Sequence, residues 1–303
     1  SDNGACSPGP RPARTPRRHP PCVPPTARPA PPRPLSAVAR DLPKLRANGI
    51  THVLNAAGVA CPNYHEGSLE YLTLNLYDTP REDILPFLYT AVEFITGVVD
   101  GGGKCYIHCH QGVSRSSSMC IAYLMHSRKI QCATPPTHDS RGGRPHTAYR
   151  RSLTAAPHPP YGCRHDEAFN LIKTVRGVAN PNTGFICRLL EFGQRIGLPS
   201  NQKPMAPLRL YRMSPWYGAP VARPIDGELS SSELDTRSAF VLHVAPQDGA
   251  DPQALYVWVG ARAHDEYSKA AHRWAAQLSK FEGAPAAAEV AQGAEPASFW
   301  EAL

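Results

Sequence analysis

Residues 104–125, KCYIHCHQGVSRSSSMCIAYLM, place an apolar run, a loop of small and polar residues and a second apolar segment in direct succession. KCYIHC has the composition of a buried strand, and the segment after Arg115 reads as a helix. A strand that runs straight into a helix belongs to a layered fold with parallel strand pairing. The chain before it repeats the pattern. ARDLPKLRANG predicts a short helix closed by Gly49, ITHVLNAA a strand bounded by Gly49 and Gly58, and YLTLNLYD a second strand. TPRE reads as a capping box, with Thr79 as N-cap, Pro80 at the first helical position and Glu82 at the third. Pro86 is expected to break or restart that helix, which continues on Leu88, Val92, Ile95 and Val99. The expectation is an α/β fold with a central, mostly parallel sheet flanked by helices.

The pattern stops over residues 131–165, which show no periodicity. It resumes at DEAFNLIKTVRG, with Ala168, Phe169, Ile172 and Val175 on one face, and at NTGFICRLLEFGQRIG. Residues 1–34 hold 12 of the 33 prolines and cannot build a core. Four parts follow: a Pro/Arg-rich segment at 1–34, an α/β unit at 35–200 interrupted by a low-complexity insertion at 131–165, a linker at 201–206, and a second, smaller α/β unit at 207–303. The second unit has strand-like LRLYRMS, SAFVLHVA and ALYVWVGA and an amphipathic helix in HDEYSKAAHRWAAQLSKFEG.

The net charge of +7 is misleading until it is mapped. Residues 1–40 carry +6 and residues 131–165 carry +4, leaving the rest at −3. The basicity sits in Pro-rich segments and not on a folded face, which argues against nucleic acid as a partner. Nine cysteines without a paired CxxC spacing read as thiols of a reducing compartment, neither a disulfide framework nor a zinc site. The expected location is cytoplasmic, with the nucleus as an alternative. No apolar run has the length of a membrane span.

The loop between strand and helix carries the chemistry. Backbone N–H groups of His110, Gln111, Gly112, Val113, Ser114 and Arg115, with the N-terminus of the following helix, can converge on one anion. Gly112 allows close backbone approach, and Arg115 offers a planar fork for two phosphate oxygens. The same positive field favours a thiolate at Cys109, a nucleophile toward phosphorus. Ser116 can donate a hydrogen bond to the leaving thiolate in the second step. His108 is placed beneath the loop as a support. His108 and His110 flank Cys109, but adjacent positions on an extended chain point apart, so no metal site is expected, and no cofactor is needed. A leaving oxygen needs an acid, and LYDTPRED supplies Asp78, Glu82 and Asp83. Asp78 is preferred over Asp83 because it leaves a strand at the same sheet end as the Cys109 loop.

HCHQGVSRS resembles the signature of the cysteine-dependent dual-specificity protein phosphatases, and LRANGITHVLN, LYDTPREDI, IAYLM and DEAFNLIKTVRGVANPNTGF extend the likeness. LRLYRMSPW, LDTRSAF, LYVWVG and FWEAL are similar to the gelsolin-like region that follows the catalytic domain in plant-type mitogen-activated protein kinase phosphatases. The resemblance implies a cysteine-based phosphatase fold followed by a gelsolin-like domain. It implies Cys109 as nucleophile, Arg115 as phosphate ligand and Asp78 as general acid, with Asn55 and His108 in supporting positions. It further implies a shallow pocket for phosphotyrosine and phosphoserine/threonine, and a phosphorylated kinase of the MAP kinase class as partner. A protein partner for the gelsolin-like domain is a further expectation. Weak or no calcium binding is expected, because Arg237-Ser238 stands where such repeats tend to carry Gly-Asp, with Glu266 a leftover ligand. The opening strand of the family is replaced by Pro-rich sequence, and the composition of 131–165 suggests an unspliced or mispredicted segment. Two rivals remain. One is a substrate-binding pseudophosphatase with a docking module. The other is a phosphoinositide phosphatase, disfavoured because HQGVS lacks a lysine.

Overall fold

The computed structural model describes residues 35–127, 164–203, 205–227, 229–245 and 253–303. The Pro/Arg-rich segment, the question of an opening strand and nearly all of the insertion lie outside the described residues. Two short helices open the fold, α1 (Leu35–Ala39) and α2 (Leu42–Ala47), the second capped by the Asp41 carboxylate on the Lys44 N–H and followed by Gly49 at φ +72°. Then come β1 (His52–Asn55), β2 (Glu70–Thr73), α3 (Leu85–Asp100), β3 (Cys105–His108), α4 (Arg115–His126), α5 (His165–Val175) and α6 (Thr183–Arg195).

The three strands are parallel in the order β2-β1-β3, with Asn55 opposite both Thr73 and His108. All three chains therefore leave the sheet at one end, the carboxyl end where open α/β sheets hold their ligands. The loops after Asn55, Thr73 and His108 form that edge.

The 79–83 stretch departs from the expected capping box. Thr79 and Glu82 close only a turn, through the Glu82 N–H on the Thr79 carbonyl, and the helix starts at Leu85. The Asp83 carboxylate takes the capping role, accepting from the Leu85 N–H at 3.2 Å. Glu82 is unavailable for capping because it is buried facing Arg223. Pro86 falls in the first turn of α3, where its missing N–H costs nothing, and breaks nothing. The strand expected over YLTLNLYD stops at Thr73, because the chain turns between Leu74 and Leu76 to bury both leucines. The insertion expected to run to residue 165 ends earlier, since α5 already starts at His165 with Glu167 closing back on the Arg164 N–H. On α5, Ala168 is buried and Phe169 and Ile172 pack on the core, but Val175 is 85% exposed. Val175 is the last helical residue, where the chain swings away so that Arg176 can reach the Cys109 loop.

The second sheet comprises β4 (Leu208–Ser214), β5 (Val221–Pro224), β6 (Ala239–Val244), β7 (Ala254–Val259) and, after α7 (Asp265–Glu282), β8 (Ala288–Ala291); α8 (Ala297–Ala302) closes the chain. The order is β5-β4-β6-β7-β8, antiparallel except for the β7–β8 pair that α7 connects. Strand alternation divides the side chains. Leu210, Phe240, Leu242 and Trp258 pack with Phe299 of α8 on one face. Tyr211, Met213, Val241 and Val257 lie on the other face with α7. That second face is continuous with the core around α3: Tyr89 meets Trp274, Phe281 and Phe192 edge-on at centroid distances of 5.0–5.5 Å. The two sheets therefore share one hydrophobic core.

Candidate active site

The Cys109 loop is built by its carbonyls. The Ser36 hydroxyl of α1 donates to the His110 carbonyl at 2.8 Å. Arg176, just after α5, donates to the carbonyls of Gln111 at 3.0 Å and Gly112 at 2.7 Å. The Asn180 N–H donates to the Val113 carbonyl at 2.8 Å. Four consecutive carbonyls are thus held outward. A planar trans peptide points the next N–H the opposite way, so the amides of Gln111, Gly112, Val113 and Ser114 turn inward. The Gly112 N–H lies 3.2 Å from the Cys109 sulfur, and Gly112 adopts φ +75°, which side chains resist.

Cys109 is buried at the floor, with the Ser116 hydroxyl 3.3 Å from its sulfur. Ser114 receives the Asn182 N–H on its hydroxyl at 3.2 Å, and its carbonyl accepts from Ser118 at 3.0 Å. Arg115 starts α4 and is nearly buried. It donates from Nη1 to the Leu76 carbonyl at 3.0 Å, and its Nε lies 3.4 Å from the Asp78 carboxylate. Asp78, one third exposed, accepts a second contact from the Asn182 amide at 3.0 Å. The acid candidate and the arginine therefore stand side by side at the mouth of the loop.

Asp83 is committed elsewhere: besides capping α3 it faces Arg188 at 3.1 Å and Arg223 at 3.6 Å. Burial pushes the Glu82 carboxyl up, against the pull of Arg223. His108 is fully buried while His110 is exposed, because β3 ends at His108 and His110 belongs to the loop that follows. Burial lowers the His108 imidazole below its ordinary range, so it is neutral at pH 7. Asn55 is fully buried beside it and spends its amide on the following loop, donating to the Cys61 carbonyl at 2.7 Å and Asn63 at 3.1 Å and accepting from the Ala57 N–H. It supports the sheet edge through these bonds. Burial drives the thiols of Cys105 and Cys120 up to about 12, which leaves them protonated bystanders.

Sequence reading missed Ser36, Arg176, Asn180 and Asn182. Asn182 carries a legible signal, since it caps α6 by accepting from the Phe185 N–H at 3.0 Å. Among the described residues there is no group of three or more His, Cys, Asp or Glu placed to hold a metal, and no helix is long and apolar enough to cross a membrane. Glu266 pairs with Lys269 at 2.8 Å.

An inward ring of amides, a cysteine on its floor and an arginine at its rim define the site class of the cysteine-dependent phosphatases. Residues 36–134 match the family model for the dual specificity phosphatase catalytic domain, and residues 221–300 match the gelsolin repeat. The first match stops inside the insertion, although α5 and α6 complete the same fold. The chain is 33% identical over 274 residues to Protein-tyrosine-phosphatase MKP1 of Arabidopsis thaliana, covering 88% of this chain and 29% of that protein. It is 33% identical over 156 residues to Dual specificity protein phosphatase 2 of Homo sapiens, covering 52% of this chain and 39% of the other. The crystal structure of DUSP15 aligns at 28% identity and a TM-score of 0.38, over 51% of this chain and 77% of its own. The chain thus spans well under half the length of these two curated relatives. It carries the catalytic domain of a dual-specificity protein phosphatase followed by a gelsolin repeat.

Proposed function

We propose that this chain hydrolyses phosphotyrosine and phosphoserine/threonine in proteins through a phosphocysteine at Cys109, and that its substrate is a phosphorylated kinase of the MAP kinase class. The observation that carries the reading is the Cys109 sulfur, which lies 3.2 Å from the Gly112 N–H and 3.3 Å from the Ser116 hydroxyl inside the ring of amides. The kinase assignment is supported by the sequence resemblance and by the similarity to MKP1 over 88% of the chain. A cytoplasmic site of action, with the nucleus as the alternative, goes with the five free cysteines among the described residues.

In the first step the Cys109 thiolate attacks phosphorus and a P–S bond forms. The P–O bond to the side-chain oxygen breaks, and Asp78 in its acid form gives that oxygen its proton. The inward amides and the Arg115 guanidinium meet the phosphoryl oxygens as charge builds on them. In the second step water attacks phosphorus and gives a proton to the Asp78 carboxylate. The P–S bond breaks, inorganic phosphate leaves, and the Ser116 hydroxyl donates to the departing thiolate.

The test is turnover of a kinase activation-segment peptide phosphorylated on Thr and Tyr. Cys109→Ser is expected to abolish it, and Asp78→Ala to lower kcat by about 10²–10⁴-fold. Turnover that survives Cys109→Ser overturns the mechanism, and Tyr-only or Thr-only cleavage overturns the dual specificity.

A further inference from the structure

We propose that the β4–β5 hairpin of the gelsolin-like sheet is a positioning element of the catalytic acid loop, with Trp216 and Arg223 as its positioning residues; this rests on reading Asp78 as the general acid. Residues 74–84 join β2 to α3 without helix or strand of their own. A loop of this kind holds a carboxylate in place only if other elements brace it. One wall comes from the catalytic unit: Asn182 on Asp78, Arg188 on Asp83, and Gly184 packed against the Pro80 backbone.

The opposite wall is the hairpin. The Trp216 indole N–H donates to the Asn75 carbonyl at 3.1 Å, and Arg223 Nη1 donates to the Asp83 carbonyl at 3.2 Å. Both ends of the loop, three residues before Asp78 and five after it, are therefore pinned by one supersecondary element. Between them the Tyr217 hydroxyl bonds that of Tyr77, the residue next to Asp78. The two anchors also hold each other, since the Arg223 guanidinium lies 4.8 Å from the Trp216 ring centre and the ring packs on Phe87 of α3. Arg223 further faces the carboxylates of Glu82 at 3.8 Å and Asp83 at 3.6 Å.

The hairpin tip is itself strained to make the contact. Tyr217 has φ +35°, and no other non-glycine among the described residues has a positive φ. Such strain persists only where the surroundings over-determine the backbone. Misplacement of a catalytic group by about 1 Å can cost about 10²-fold in rate. The gelsolin-like sheet is thus part of the catalytic apparatus.

The test separates loss of the acid from general damage by using leaving groups of different need. A dinitrophenyl phosphate leaves without a proton, whereas a phosphotyrosine peptide needs one. In the full chain, Trp216→Ala and Arg223→Gln are expected to lower kcat/KM on the phosphotyrosine peptide by about 10–100-fold while changing it less than about threefold on dinitrophenyl phosphate. Inhibition by vanadate, which needs the amide ring and no acid, is expected to stay unchanged. Equal loss on both substrates, or no loss on the peptide, overturns the proposal. Asp78→Ala is the reference. If it lacks the selective loss, the acid assignment fails; if it has the loss and the hairpin variants do not, the positioning role fails. Should Trp216→Ala not fold, Arg223→Gln and Tyr217→Phe, the latter at a half-exposed position, decide by the same criterion.

Discussion

The carboxylate of Glu282, the last residue of α7, accepts a hydrogen bond from the phenol of Tyr89 on α3 at 2.6 Å, across 193 residues of sequence. The same carboxylate faces Arg209 at 2.8 Å and Arg195 at 3.4 Å, and only 3% of its side chain is exposed. Removing it leaves two buried guanidinium groups short of countercharge. Glu282→Ala is expected to destabilise the protein by about 3–5 kcal/mol, and Tyr89→Phe by about 1–2 kcal/mol. Urea titration checks both. Tryptophan fluorescence, which reports the seam through Trp216 and Trp274, should unfold together with the far-UV signal in the wild type, because the two sheets share a core.

Arg176 braces two carbonyls of the phosphate loop with two different nitrogens, a geometry that a lysine cannot copy. Arg176→Lys is expected to weaken inhibition by vanadate about 10–100-fold, the value of one or two charged hydrogen bonds, without unfolding the protein. A competitive inhibition constant measured beside a thermal melt is sufficient.

Gly184, in the first turn of α6, has no room for a side chain. An added Cβ would stand 2.0 Å from the Pro80 carbonyl oxygen, and backbone cannot yield as a flexible side chain would. Gly184→Ala is expected to displace the loop that carries Asp78, costing about 1–3 kcal/mol of stability and about tenfold in turnover of a phosphotyrosine peptide. The steric pressure acts from the side opposite to the hairpin, so its effect should add to that of Arg223→Gln only in part.

His243 on β6 is held down to about 4 by burial and by the Arg209 guanidinium, whose Nη2 lies 2.6 Å from its Nδ1. Glu282 pulls the other way, Arg195 adds to the depression, and the Gln253 amide nitrogen stands 3.3 Å from Nε2. The folded state refuses a proton that the unfolded chain accepts below about 6.5. The neutral imidazole therefore contributes stability above about pH 6.5 that is lost as pH falls toward 4, at most about 3 kcal/mol. His243→Gln should flatten the stability curve in that window, as read by denaturant midpoints at stepped pH.

Much of the catalytic unit was readable because its signals are local. The strand, loop and helix around Cys109 lie within one run of sequence, and Ser116 and Gly112 fall where the chemistry of an anion cradle requires them. Asp78 was preferred over Asp83 as the residue leaving a strand end, but that strand stops at Thr73; the fold sets Asp78 beside Arg115 and Asp83 between Arg188 and Arg223. The capping box at Thr79 failed because a local pattern met a stronger distant partner: Arg223, 141 residues from Glu82, faces the carboxylate that would have closed it. The strands β5 and β8, four residues each, are too short to carry periodicity. The braces from Ser36, Arg176 and Asn180, and the whole seam between the sheets, are long-range contacts between residues that look ordinary one at a time.

The four carbonyls that shape the Cys109 loop draw their donors from both sides of it in sequence, Ser36 upstream and Arg176 and Asn180 far downstream. Synthesis runs in one direction, so Cys109 emerges from the ribosome after Ser36 but well before Arg176 and Asn180, which fix three of the four carbonyls. A chain that ends before Arg176 lacks the donors to the carbonyls of Gln111, Gly112 and Val113. The order of translation thus sets an order of assembly, in which the Cys109 loop is made first and most of its outer braces last.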